Sequence, residues 1–132
     1  MVTLPETMKA IAIEGRGQEA RLVLHELAVP KPGPGQVLIK VAAAGVNRAD
    51  LLQVQGLHPP PPGAPATPGL EVSGTVVAAG TAAPFAIGGE VCALLGGGGY
   101  AEYALASALC TLPVPDGVSL EDAGGLPEVY FT

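Results

Sequence analysis

Glycine and proline interrupt this chain so often that no long regular element is expected to form. Nineteen glycines and fourteen prolines account for one residue in four of the 132. Proline fixes φ and removes a backbone donor, and glycine costs conformational entropy inside a helix, so both favour turns. Here they separate short apolar runs, and 48% of the residues are hydrophobic, which is enough to form a core. The pattern predicts one mainly β domain with short helices.

The predicted strands are short and closely spaced along the chain. They cover residues 8–13, 21–27, 37–43, 70–79, 90–95, 100–105 and 109–113. A stiff turn at 30–36 precedes the third run, and the 58–68 segment, with six prolines, is predicted to be an irregular loop. Six or seven short strands in this arrangement predict a small barrel or sandwich.

Three segments carry helix-start signals. Asn47 is a good N-cap with Asp50 three residues later, and Gly56 is a plausible C′ residue. A second capping box lies at 119–122, and a proline at a helical N1 position opens 126–131. This last segment has no C-cap and is expected to have nothing to pack against. It is either a frayed terminus or the opening of a second domain.

Charge and targeting features exclude several function classes. The net charge is −6, and the six basic residues are scattered, so nucleic acid is not an expected partner. The apolar runs are too short to span a bilayer, and residues 1–7 lack the features of a signal peptide. The expectation is a cytoplasmic protein with no membrane partner, in which Cys92 and Cys110 are two reduced, buried thiols.

Motif searching finds no cofactor site in the chain itself. The Gly-x-Gly-x-x-Ala match at 15–20 has no acid at the required distance and is interpreted as a turn, as is the glycine run at 96–99. The two cysteines and two histidines have no metal-binding spacing. The residues alone therefore indicate a β domain without a phosphate cradle or a metal site.

The order of the segments resembles the catalytic domain of the medium-chain dehydrogenase/reductase superfamily. The matching landmarks between residues 8 and 132 are Met-Lys-Ala-Ile (8–11), Pro-Gly-Gln-Val-Leu-Ile-Lys-Val (34–41), Ala-Gly-Val-Asn-Arg-Ala-Asp-Leu-Leu (44–52), Pro-Gly-Leu-Glu-Val-Ser-Gly (68–74), Gly-Gly-Glu-Val-Cys-Ala-Leu (88–94), Gly-Gly-Tyr-Ala-Glu-Tyr (98–103) and Leu-Pro-Glu (126–128). The resemblance implies a GroES-like, partly open β-barrel. It implies a substrate and catalytic domain at 1–125 and, at 126–132, the start of a linker helix to a Rossmann NADPH-binding domain absent from this chain.

Two substitutions indicate the branch of the superfamily. Where the zinc alcohol dehydrogenases carry a cysteine and a histidine, this sequence has Asn47 and Leu70. Leucine has no atom that can bind a metal, and an asparagine carbonyl is a poor zinc ligand beside a thiolate. The resemblance is therefore to the zinc-free NADPH:quinone oxidoreductases. It implies NADPH, no zinc, a quinone or other electron-poor acceptor, and a homodimer of the full-length enzyme.

By the same resemblance, the cleft for the acceptor and the nicotinamide is lined by Asn47, Leu52, His58 and Thr132, and none of them is assigned a catalytic step. Asn47 would lie near the acceptor carbonyl, and Leu52 would widen the pocket. His58 could donate to a quinone oxygen. Two plainer interpretations stay open: Asn47 as a helix N-cap and His58 as an exposed loop residue.

Other functions also remain open at this stage. Asp50 and Glu71, which are polar residues beside the metal in the zinc enzymes, are interpreted as structural here. An NADPH-dependent enoyl reductase of the same superfamily would share the fold and a segment like 47–50. A non-catalytic GroES-like binding module is the third alternative.

Overall fold

The structure, a computed structural model, describes residues 3–131 and consists mainly of short β-strands. The strands are β1 Thr7–Glu14, β2 Arg21–Ala28, β3 Gln36–Ala44, β4 Glu71–Ala79, β5 Glu90–Leu94, β6 Tyr103–Ser107 and β7 Thr111–Pro113. The helices are α1 Arg48–Val54 and α2 Pro127–Phe131, with 3₁₀ turns at Gly17–Glu19, Ala108–Cys110 and Asp122–Gly125. The mainly β prediction with short helices is confirmed.

The strands form a curled half-barrel. β1 and β2 make an antiparallel hairpin, and the other five form an antiparallel sheet in the order β6-β3-β4-β5-β7. An isolated bridge between Ala10 and Ala101 joins the hairpin to the larger sheet. The register between β3 and β4 shifts twice, at Leu38/Ile39 and at Val41/Ala43. Such bulges increase the local twist and bend the sheet, which gives the curled shape.

The core lies inside this curl, where β-branched side chains from the three central strands pack. It includes Val37, Ile39, Val72, Val76 and Val91, all at most 2% exposed. Burial of such side chains stabilises each by about 1.5–3 kcal/mol relative to exposure. The core thus holds the central strands β3 and β4 together, and the candidate site lies at the end of β3 and the start of β4.

Three predicted elements were wrong in extent or type. The strand predicted at 109–113 begins only at Thr111, because Ala108–Cys110 form a 3₁₀ turn. The sixth strand begins at Tyr103 and not at Tyr100, because the backbone at 100–102 bonds to β1, with the Ile11 N–H donating to the Tyr100 carbonyl and the Glu102 N–H donating to the Lys9 carbonyl. At 119–122 the capping contact does form, with the Asp122 N–H donating to Ser119 Oγ at 3.1 Å, but only a 3₁₀ turn follows. The pair Gly124-Gly125 disfavours an α-helix here, and Gly124 is buried against Ala43.

The segment 126–131 was expected to have no packing partner, and this is wrong. α2 contacts β4, β5 and the Asp122–Gly125 turn, and Pro127 is fully buried. A cavity of about 360 Å³ lies between this helix and the strands β5 and β7. Its lining includes Cys92, Leu112 and Tyr130. Tyr130 itself is still 76% exposed. The helix start is thus part of this domain's packing.

The remaining sequence expectations can be placed on the fold. The 15–20 segment is the turn between β1 and β2, as predicted, with only a 3₁₀ helix in it.

Cys92 and Cys110 are both free, but only Cys92 is buried, so the expectation of two buried thiols was wrong for Cys110. Burial, with the charge of Glu71, raises the pKa of Cys92. Within residues 3–131, no helix has the length and apolarity needed to cross a membrane.

Candidate functional site

Asn47 lies where the chain leaves β3 and turns into α1. Its φ of −124° and ψ of 159° are those of an N-cap residue, as the sequence predicts. Asn47 and Asp50 form a capping box, in which the Asn47 N–H donates to Asp50 Oδ2 at 2.9 Å. Gly56 has a φ of 79°, the left-handed conformation expected at C′. The local sequence thus fixes both ends of α1 and the position of Asn47.

Glu71, the first residue of β4, connects Asn47 to the rest of the domain. It is 3% exposed, and its Oε1 accepts a hydrogen bond from Asn47 Nδ2 at 3.2 Å. Its Oε2 accepts one from the Glu128 backbone N–H at 2.7 Å, in the first turn of α2. One buried carboxylate therefore joins the start of α1, the start of β4 and the start of α2.

Gly45 makes room for this carboxylate. A β-carbon at Gly45 would overlap Glu71 Oε1 and would lie 2.6 Å from its Cδ and 2.8 Å from its Cγ. The backbone N–H of Gly45 also donates to the Glu71 carbonyl at 3.3 Å. A residue with a side chain at position 45 would therefore displace the carboxylate.

Tyr100 and Asp50 form the other half of the site. The Tyr100 hydroxyl donates to Asp50 Oδ2 at 2.5 Å and lies 3.2 Å from the Gly45 carbonyl. Burial raises the pKa of Tyr100 far above its usual value, and the hydrogen bond to Asp50 and the charges of Asp50 and Glu71 raise it further. The phenol therefore stays protonated and acts as a donor. Asp50 Oδ1 is buried and accepts no hydrogen bond from the residues that the structure describes.

We call these five residues, Gly45, Asn47, Asp50, Glu71 and Tyr100, the carboxylate network. Its two buried carboxylates accept hydrogen bonds from an amide, a phenol and two backbone N–H groups. The ion pair between Arg21 and Glu14 is exposed and lies outside this network. The network is thus held by neutral donors, which makes its geometry sensitive to the loss of any one of them.

The other predicted cleft residues lie outside this network. Leu52 is half-buried in α1, and His58 is exposed in the loop that follows. α1 and this loop are joined by a hydrogen bond in which the Leu57 N–H donates to the Leu52 carbonyl at 2.8 Å. No hydrogen bond in residues 3–131 connects His58 to Asn47. Thr132 lies outside the described residues.

The residues at the two positions compared with zinc ligands do not fit a zinc ion. Leu70 has no donor atom, and the Asn47 amide nitrogen presents a hydrogen, not a lone pair, to Glu71. Across residues 3–131, no group of three or more His, Cys, Asp or Glu side chains is placed to hold a metal ion.

Sequence reasoning found Asn47 and the capping role of Asp50 but missed the contacts of Glu71 and Tyr100. The Glu71–Asn47 bond spans 24 residues and the Tyr100–Asp50 bond spans 50. The available signal was the glycines in the two loops that meet beside Tyr100, at position 69 and at 96–99. Gly69 has a φ of +112°, and a β-carbon there would lie 2.6 Å from the Tyr100 nitrogen, so glycine allows the two loops to meet.

The chain is similar in sequence to a known domain family and to known oxidoreductases. Residues 33–116 match the profile of the alcohol dehydrogenase GroES-like domain. The chain is 36% identical to quinone oxidoreductase of Rattus norvegicus, with all of this chain aligned to 41% of that protein. It therefore spans about two fifths of the length of that relative.

Solved structures of similar proteins share this fold, and one of them is a metal-bound alcohol dehydrogenase. The human synaptic vesicle membrane protein VAT-1 homolog-like protein superimposes with a TM-score of 0.80, at 33% identity, over 89% of this chain and 38% of that one. A cobalt- and zinc-bound thermostable alcohol dehydrogenase from Pyrobaculum aerophilum gives a TM-score of 0.78, at 31% identity, over 92% of this chain and 45% of that one. The GroES-like fold is confirmed.

Proposed function

Because this chain belongs to the alcohol dehydrogenase GroES-like domain family, we propose that it is the acceptor-side domain of a zinc-independent NADPH:quinone oxidoreductase. The observation that carries this proposal is the pair Asn47 and Leu70, which provides no zinc ligand at the site. The similarity to quinone oxidoreductases along the whole chain supports the same branch. The full-length enzyme is proposed to be a cytoplasmic homodimer.

The chain supplies the acceptor side of the cleft and leaves most of the cofactor binding to a second domain. The 15–20 turn contains a three-residue 3₁₀ helix, which cannot hold a pyrophosphate as a long helix start does. We propose that residues 1–125 form the acceptor domain and that 126–132 begin the linker to a Rossmann domain. We call this domain together with that cofactor domain the complete protein.

The carboxylate network fits a nicotinamide and a quinone because it offers a positioned neutral donor. Asn47 is half-buried, and one N–H of its amide makes no hydrogen bond within residues 3–131. That N–H can donate to an acceptor oxygen as charge develops there. When bound, NADPH supplies the hydride, and the protein contributes orientation and exclusion of water.

The other predicted cleft residues have supporting roles in this proposal. Leu52 gives the pocket an apolar wall of moderate size, and the exposed imidazole of His58 can donate to the second quinone oxygen. Thr132 is proposed to contact the carboxamide of the nicotinamide. None of these three is required to transfer a proton for the hydride step itself.

The proposal is tested by NADPH oxidation in the complete protein, with naphthoquinones and enoyl thioesters as alternative acceptors. We expect turnover with the quinones, and we expect Asn47→Ala to lower kcat/KM by about tenfold or more through loss of the donor. Gln55→Ala, an exposed amide at the end of the same helix, is the matched control and should have no effect.

Two results would contradict the proposed function. Preference for enoyl thioesters would assign the domain to an enoyl reductase. No NADPH oxidation with either class would assign it to a non-catalytic binding module.

A further inference from the structure

We propose that Glu71 is a positioning residue that decides which end of the Asn47 amide faces the acceptor, and that it couples this choice to the start of α2. The inference rests on the proposed function for its effect on turnover. Its structural basis is a single carboxylate with both oxygens in use, one on Asn47 Nδ2 and the other on the Glu128 N–H.

The polarity of the network fixes the orientation of the amide. A carboxylate can only accept, so the amide nitrogen of Asn47 must face Glu71. The capping box agrees with this orientation, because it turns the Asn47 side-chain oxygen toward the Asp50 N–H, which also donates to the Asn47 backbone carbonyl at 3.0 Å. Both contacts therefore require the same rotamer, and they leave one N–H of Asn47 to point away as a donor.

The second oxygen of Glu71 makes this arrangement dependent on α2. The Glu128 N–H is among the first backbone donors of the helix, which have no partner inside the helix. Because Glu71 serves this donor as well, its carboxylate cannot rotate freely toward or away from Asn47. A shift of α2 would therefore move the carboxylate that holds the Asn47 amide.

The isosteric change Glu71→Gln separates the role of charge and polarity from the role of shape. A glutamine side chain has one accepting oxygen, whereas two donors face position 71. If that oxygen accepts from Glu128, the new NH₂ group faces Asn47 and forces its amide to turn over. The acceptor would then meet a carbonyl oxygen in place of an N–H, and the Asp50 N–H at the start of α1 would face the amide nitrogen of Asn47.

The first test is a double-mutant cycle on the chain itself, in which the Tm is measured for Asn47→Asp, Glu71→Gln and the double variant. Asn47→Asp sets two carboxylates against each other, and we expect the Tm to fall by about 5 °C or more. In the double variant, the new amide at position 71 can donate to the new carboxylate at position 47 and accept from Glu128, so at least half of that loss should return. The exposed, isosteric Glu121→Gln is the control and should leave the Tm unchanged.

The second test is turnover by the same variants in the complete protein. Glu71→Gln should lower kcat by about tenfold, with the KM for NADPH changed by no more than roughly twofold. The double variant should regain at least half of the lost Tm but not its kcat, because a carboxylate at position 47 has no N–H to donate. A purely structural role predicts instead that kcat and Tm recover together.

The outcomes of these tests are separable from those of the proposed function. Additive Tm changes in the cycle would overturn the orienting role of Glu71 even in an active enzyme, and so would recovery of kcat in the double variant. If the Tm changes are non-additive but the complete protein shows no quinone turnover, the orienting role of Glu71 stands and only the proposed function is overturned.

Discussion

Gly45→Ala is expected to displace the Glu71 carboxylate and to lower both stability and turnover. The new β-carbon would overlap Oε1 of Glu71, so the side chain must leave its place and release Asn47 and Glu128. Crowding of this kind costs about 2 kcal/mol of unfolding free energy. The kcat of the complete protein should fall by about tenfold or more, since the Asn47 donor is no longer oriented.

The control for this change is Gly125→Ala. A β-carbon at Gly125 meets no atom within 4 Å, and the residue has no left-handed φ, so neither stability nor turnover should change measurably. Urea unfolding of the chain gives the first quantity, and steady-state kinetics of the complete protein give the second. A Gly45→Ala variant as stable and active as Gly125→Ala would contradict the packing described for Glu71.

The second large effect is expected for Asp50→Ala. Asp50 Oδ2 accepts from both the Tyr100 hydroxyl and the Asn47 backbone N–H, and the residue is 3% exposed. Removal of the carboxylate leaves two partly buried donors with weakened or no partners, which costs about 3 kcal/mol of unfolding free energy. Alanine also removes one half of the capping box, so α1 should fray at the residue that carries the proposed donor.

Asp50→Asn and Asp116→Ala complete this experiment. The asparagine retains one oxygen that both donors can share, so it should recover at least half of the loss in unfolding free energy. Asp116 is exposed in a turn, and its replacement should have little effect. Equal losses for the alanine and asparagine variants at position 50 would show that hydrogen bonding by Asp50 Oδ2 does not stabilise the site.

Local sequence was sufficient for most of the fold. The alternation of short apolar runs with glycine and proline located the strands, and the Asn47–Asp50 spacing located the start of α1. The strand predicted from Tyr100 begins three residues later because the backbone of Tyr100 bonds to Pro68 and to Ile11 of β1, which are contacts between residues far apart in the sequence. The capping box at 119–122 could not reveal that Gly124 is needed for close packing on Ala43.

The candidate site could be predicted only in part, because its hydrogen bonds join residues that are far apart in the sequence. Asn47 was found from its place in a local motif and in a family resemblance, whereas the role of Glu71 depends on three chain segments meeting in space. The resemblance matched Glu71 to a polar position beside the metal of the zinc enzymes, and without zinc ligands it was interpreted as structural. Only the fold shows that both of its oxygens are occupied, one by the proposed acceptor-facing amide and the other by α2.

The central claim, hydride transfer without zinc, is tested most directly by metal content and quinone turnover in the complete protein. The proposal predicts far less than one zinc per chain, and NADPH-dependent quinone reduction that a strong zinc chelator leaves within roughly twofold of its starting rate, because Leu70 and Asn47 offer no suitable ligand. Equimolar zinc, with activity that the chelator abolishes and added zinc restores, would contradict it.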